Sequence, residues 1–131
     1  MKKADLIVNT LKRLGCRPYV DEDGDITFRY QLKPLYAMIG VEDEPFVTLV
    51  QPYVYEIEHG EEIEVLAVCN KLTRDVKLVK VYIDQTHQSV TASCEFFYSD
   101  ESSLELSLKE SLRLMGMIRT MFKQAKKELS E

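Results

Sequence analysis

The stretch from Glu61 to Tyr98 constrains the fold of this chain more than any other. It opens with a helical pattern, Glu61 to Arg74, in which Ile63, Leu66, Ala67, Val68, Cys69 and Leu72 spread over a wide apolar face. A face of that width calls for burial against a sheet. Glu61, Glu62 and Glu64 in the first turn, with Lys71 and Arg74 in the last, complement the helix dipole. Two strand patterns follow, Val76 to Asp84 and Ser89 to Tyr98, joined by the short polar gap Asp84-Gln85-Thr86-His87-Gln88, so they form an antiparallel hairpin. In the second, Val90, Ala92, Cys94, Phe96 and Tyr98 alternate with Thr91, Ser93, Glu95 and Phe97. The mostly polar second set is expected to face solvent or a partner.

The elements before this stretch are read from the same periodicities. Ala4, Ile7, Val8, Leu11 and Leu14 form a helical stripe over Lys3–Leu14, with Gly15 suited to the left-handed residue after the helix and Pro18 preventing its continuation. Tyr19-Val20 starts a short strand, and Ile26-Thr27-Phe28-Arg29-Tyr30 returns from it across an Asp23-Gly24 hairpin turn. The acidic string Asp21 to Asp25 invites a calcium loop, but the positions that need Gly and Glu hold Ile26 and Leu32, so a solvated turn is the better reading. Leu35 to Val41 is apolar on both faces and is expected to be a central strand covered on both sides. Phe46 to Ile57 is a longer strand in which Pro52 marks a bulge or an edge, and Tyr53 and Tyr55, two residues apart, are expected to share a face.

After a linker at Ser99–Ser103, Ser102 and Glu105 fit a capping box that opens a last helix running to about Leu129. Leu104, Leu108, Leu112, Met115, Ile118, Phe122, Ala125 and Leu129 make one continuous stripe, flanked by Leu106, Leu114, Met117 and Met121. One sheet face is not expected to hide all of that surface, so part of it is a candidate partner surface. Gly116 lowers helix stability by roughly 1 kcal/mol, which close approach of another backbone, from the sheet or a second subunit, would offset. The resulting class is α+β, an antiparallel sheet with helices packed on it in the order α-β-β-β-β-α-β-β-α, in one domain spanning residues 1–131.

Chemistry-bearing patterns are few. His59 and His87 lie in polar turns with no ligand partner at helical spacing and no nucleophile motif nearby. Five glycines spread singly build no phosphate loop. Cys69 and Cys94 fall on apolar faces and read as small hydrophobes, while Cys16 sits in a loop, so three scattered cysteines make neither a disulfide framework nor a zinc site. The carboxylates of Glu42-Asp43-Glu44, Glu56, Glu58, Glu61 and Glu62 read as solvated turns and a helix start. Neither a catalytic residue nor a cofactor or metal site is expected. A net charge of −5 and a pI near 5.1 argue against nucleic acid, since phosphate binding rests on excess Lys and Arg. Arg113, Arg119, Lys123, Lys126 and Lys127 read as a solvated face of the last helix. No apolar run reaches the length of a membrane span, and Leu6-Ile7-Val8 is too short for a signal sequence, so a cytoplasmic location is expected.

The aromatic residues are more informative. A two-layer fold leaves one sheet face open, and aromatics on such a face are common anchors for partners. The candidate partner-binding residues are Tyr53, Tyr55 and Phe97 on the strands and Leu114, Met117 and Met121 on the last helix. A protein or peptide partner and a homodimer are expected. The competing reading is a small-molecule sensor or minor enzyme, with a pocket between helices and sheet lined by Asn70, Tyr82 and Glu95.

With this element order, the chain resembles the YbjN-like family of bacterial proteins, described as sensory transduction regulators and similar in fold to the type III secretion chaperones. The resemblance rests on the first helix ending in Leu14-Gly15, the acidic hairpin Asp21–Asp25, Val68-Cys69-Asn70-Lys71-Leu72, Lys80-Val81-Tyr82-Ile83-Asp84 and the long last helix. Asn70 stands where such proteins commonly carry an Asn in the middle helix. The resemblance implies a non-catalytic α+β domain, often dimeric, that holds other polypeptides.

Overall fold

The computed structural model describes residues 1–130. Its elements are α1 (Lys3–Arg13), β1 (Tyr19–Val20), β2 (Ile26–Tyr30), β3 (Lys33–Met38), β4 (Phe46–Glu56), α2 (Glu62–Asp75), β5 (Val79–Ile83), β6 (Ser89–Phe97), α3 (Glu101–Met115) and α4 (Ile118–Ser130). The six strands form one antiparallel sheet in the order β1-β2-β3-β4-β6-β5. One core joins Ile7 and Leu11 of α1, Val65, Val68 and Leu72 of α2, the stripe of α3 and α4, and the inward residues of five strands. The helices therefore layer on a single side of the sheet, which is the α+β arrangement expected.

Local chemistry explains the element ends. Gly15 takes φ +92 just beyond α1, and its N–H reaches back to the Lys12 carbonyl. Asp21 Oδ1 accepts from the backbone N–H groups of Asp23 (2.9 Å) and Asp25 (3.0 Å), so the acidic string closes its own turn. Lys3 is buried at the start of α1, and its ammonium donates to the carbonyls of Ile39 and, at 3.2 Å, Val41. Burial holds its pKa below the usual lysine value, against the opposing pull of Glu44 and Glu42. That contact ties α1 to the β3–β4 connection.

Three sequence expectations are corrected here. β3 is interior in the sheet but covered on one side only: Leu35 and Ala37 are buried, Tyr36 is half-buried and Met38 is exposed. α2 is not buried over its whole apolar width. Val65, Val68, Cys69 and Leu72 face the core, while Ile63, Leu66 and Ala67 lie outside it. The polar set of β6 is not uniformly exposed either. Thr91 and Ser93 are buried because they are short and sit between the longer side chains of β4 and β5.

The last helix is two helices. Asp100, not Ser102, caps α3: its carboxylate accepts from the Ser103 N–H at 2.8 Å, and Ser103 Oγ accepts from the Asp100 N–H at 3.0 Å. Leu104, Leu108, Leu112, Met115, Ile118, Phe122 and Ala125 are all buried as the stripe predicts, and only Leu129 is exposed. The break falls at Gly116-Met117, where the β2–β3 turn closes in. A Cβ on Gly116 would stand 2.9 Å from Gln31 Oε1 and 3.0 Å from the Tyr30 ring. The close approach at Gly116 therefore comes from side chains of β2 and its turn, and not from another backbone as expected. The carbonyls freed by the break find donors there too: Met115 O accepts from Gln51 Nε2 at 2.8 Å, and Gly116 O from Lys33 Nζ at 3.2 Å.

Candidate functional site

The face of the sheet away from the helices is built from alternate residues whose neighbours form the core. Strand register sets them in rows: Tyr36, Val50, Ser93 and Lys80 run across β3, β4, β6 and β5, with Met38, Thr48 and Glu95 beside them and Tyr82 next to Thr91. At one end Phe46 pairs with Phe97, their ring centroids 4.8 Å apart. In the middle, Val50 at 5 % and Ser93 at 2 % exposure are covered by their longer neighbours. Around them Tyr53 is 69 % exposed, Phe97 67 % and Tyr82 40 %. The charges near the centre cancel. Lys80 pairs with Glu95, whose carboxyl also accepts from Thr48 Oγ1 at 3.3 Å, and the Lys80 ammonium is the main cause holding Glu95 below the usual carboxylate range. Burial raises the Tyr36 phenol, so this ring stays neutral. Exposed aromatic rings around a charge pair that is neutralised internally can pack against side chains of another polypeptide segment.

Tyr53 and Tyr55 do not share a face. Gln51 pairs with Ala92 and Tyr55 with Val90, so β4 carries two surplus residues against β6, with Pro52 inside the bulge. Tyr53 adopts φ +57 and stands out in solvent. Tyr55 turns to the helices. Its ring lies 4.9 Å from that of Phe122, its hydroxyl donates to Glu61 Oε1 at 2.7 Å, and Lys126 Nζ stands 5.7 Å over the ring. Lys126 in turn bonds Glu61 at 2.8 Å and lies 3.3 Å from Glu64.

The candidates on the last helix sit on the opposite side of the molecule's sheet. Leu114 and Met121 are half-buried against the core, and Met117 is exposed at the helix break. The basic residues named in the sequence do not form a free patch. Arg113 bonds Glu110, Arg119 reaches Gln51 and Pro52, and Lys126 is held by Glu61 and Glu64, which leaves Lys123 and Lys127 exposed.

Of the three residues of the competing pocket, the structure brings two together. Asn70 and Tyr82 line a groove of about 530 Å³ between α2 and the β5 edge, with Leu66, Cys69 and Ile83, whereas Glu95 lies on the open face with Lys80. Burial pushes the thiols of Cys69 and Cys94 up to about 11, so both behave as apolar core atoms. Among the described residues no group of three or more His, Cys, Asp or Glu side chains is placed to hold a metal ion. No helix among them is long and apolar enough to cross a membrane. Tyr36, Met38, Phe46 and Val50 were not singled out from the sequence. The signal was the alternation of Tyr36 and Met38 with Leu35 and Ala37, hidden by the apolar character of both sets.

No curated protein matches the chain by sequence. Among solved structures, YbjN from E. coli superposes with a TM-score of 0.70 at 9 % identity, over 95 % of this chain and 92 % of that one. An uncharacterized protein from Methanothermobacter thermautotrophicus gives a TM-score of 0.55 at 15 % identity, over 92 % and 96 %. At such identities these likenesses speak for the fold. The sequence model of the TY-Chap1 family, described as type III secretion system (YopN, CesT) and YbjN peptide-binding chaperone 1, matches residues 2–119. The chain with the open aromatic sheet face therefore belongs to the TY-Chap1 family of peptide-binding chaperones.

Proposed function

We propose that this protein is a non-enzymatic, cytoplasmic bacterial module, acting as one domain over residues 1–131, that holds an extended apolar segment of another polypeptide on its open sheet face. The observation that carries this reading is the exposure of Tyr53, Tyr82 and Phe97 on a sheet face that none of the described helices covers, around the buried Val50, Thr91 and Ser93. Tyr53 and Phe97 are the protruding anchors. Aromatic anchors at interfaces typically cost about 2 kcal/mol or more when removed, or roughly thirtyfold in affinity.

The test is fluorescence anisotropy with short labelled peptides that alternate leucine and threonine. Tyr53→Asp combined with Phe97→Asp should weaken capture at least about thirtyfold while the chain stays folded, with a small drop in melting temperature from the lost Phe46–Phe97 ring contact. Equal capture by the double variant would move the site elsewhere.

Self-association as a homodimer belongs to the same reading, with Leu114, Met117 and Met121 around the α3–α4 break as its surface. Size exclusion with light scattering checks it, since Met117→Glu with Met121→Glu should shift a dimer to monomer. A regulatory role, in keeping with YbjN being described as a candidate transcription regulator, would then act through the captured partner. The Asn70–Tyr82 groove favours a second reading, a small-ligand sensor. A thermal-shift screen against metabolites tests it, because a ligand of the native state raises the melting temperature by mass action.

A further inference from the structure

We propose that Arg119 is a positioning residue of the open face, holding from the helix side the β4 bulge that presents Tyr53. The inference rests on the open face being the binding surface, and it arises from how the bulge is satisfied. Two surplus residues between Gln51 and Tyr55 take Pro52–Val54 out of the ladder with β6. Pro52 has no N–H to give, and its carbonyl needs a donor. Tyr53 beside it stands at φ +57, a region that side chains other than glycine seldom adopt, so its surroundings must hold it there.

One guanidinium supplies the hold. Arg119 Nη2 donates to the Pro52 carbonyl at 3.2 Å, and Arg119 Nε donates to Gln51 Oε1 at 3.0 Å. Gln51 is fully buried, and its amide nitrogen donates onward to the Met115 carbonyl at 2.8 Å. The two irregular points of the fold, the strand bulge and the helix break, are thus joined through two side chains. Arg119 has no carboxylate partner among the described residues; its partners are neutral oxygens. Partial burial lowers its pKa. What matters at this position is the forked geometry of the donors, which a lysine ammonium does not reproduce.

The test compares wild type with Arg119→Ala, Arg119→Lys, Arg119→Gln, Tyr53→Ala and the Tyr53→Ala/Arg119→Ala pair. Amide hydrogen exchange of the unliganded chain is read at Tyr53–Tyr55 and at Phe122. Affinity is read with the leucine–threonine peptide. Arg119→Ala should speed exchange at Tyr53–Tyr55 about tenfold while Phe122 stays protected, as expected for losing a local hydrogen bond rather than the fold. It should weaken peptide binding about as much as Tyr53→Ala, with no further loss in the pair. Arg119→Lys should resemble Arg119→Ala. If Arg119→Ala proves unstable, Arg119→Gln keeps the packing and carries the same two readouts. Unchanged exchange at Tyr53–Tyr55 in a folded variant would overturn the proposal, and so would full additivity in the pair. A wild-type chain that ignores the peptide would remove the binding-face reading, while the exchange arm would still decide whether Arg119 holds the bulge.

Discussion

The hydroxyl of Thr73 on α2 accepts the backbone N–H of Val81 at 2.9 Å and donates to the carbonyl of the same residue at 3.1 Å. Val81 lies on β5, the edge strand, and these are the groups a further strand would take. One side chain therefore occupies the place of a neighbouring strand. Thr73→Val should leave both groups to water or to another copy of the chain. Stability should fall by about 1 kcal/mol in a denaturant titration, and light scattering should detect assembly beyond the parent's own oligomeric state. Thr73→Ser should behave as wild type.

The Lys126–Glu61–Tyr55 cluster predicts a defined acid response. Burial opposes ionisation of Glu61, but the Lys126 ammonium, the Glu58 N–H and the Tyr55 hydroxyl outweigh it and hold the carboxyl below its usual value of 4.5. A carboxyl whose folded pKa is depressed contributes stability that is present above the unfolded value and lost as pH falls through the folded one. Calorimetry should therefore show the melting temperature declining below about pH 4.5. Glu61→Gln should begin lower at neutral pH and decline less steeply in that window. Parallel profiles would show that Glu61 is not responsible.

Gly116→Ala sets two effects against each other. Its φ of −64 suits any residue and alanine gains helix propensity, but the new Cβ meets Gln31 Oε1 and the Tyr30 ring at 3.0 Å or less. Both neighbours have to shift, so the expected outcome is a loss of about 1 kcal/mol in thermal or chemical unfolding. Gln31→Ala in the same chain should recover part of it.

Ser111 is fully buried, and the weakly polar Cys94 thiol is the group beside its hydroxyl, which makes no hydrogen bond of good geometry among the described residues. Ser111→Ala removes that uncompensated group at little cost in volume. It should be neutral or raise stability by about 1 kcal/mol, whereas Ser111→Leu should overpack the site and lower it.

How far the sequence could be read depended on whether one spacing governed a whole element. The stripe from Leu104 to Ala125 was legible because the core needs those positions whether the helix is straight or broken. The break itself was not, since the stripe runs through Gly116 and the contacts that cause it come from Tyr30 and Gln31, far away in sequence. Pro52 announced a bulge, but not that two extra residues would send Tyr53 and Tyr55 to opposite sides. Thr91 and Ser93 looked like solvent residues by polarity, and they are buried because of what stands next to them in adjacent strands. Cross-strand neighbours are the information that a linear pattern lacks. The same gap concealed the aromatic face, whose exposed and buried residues come from four strands.

The bulge in β4 also means that a lone strand serves two clients at once. Within three positions it turns one tyrosine out to solvent and sends another inward as a rivet for α4. A shift in the register of that strand would move both tyrosines together, and so loosen how the molecule fastens α4 to the sheet.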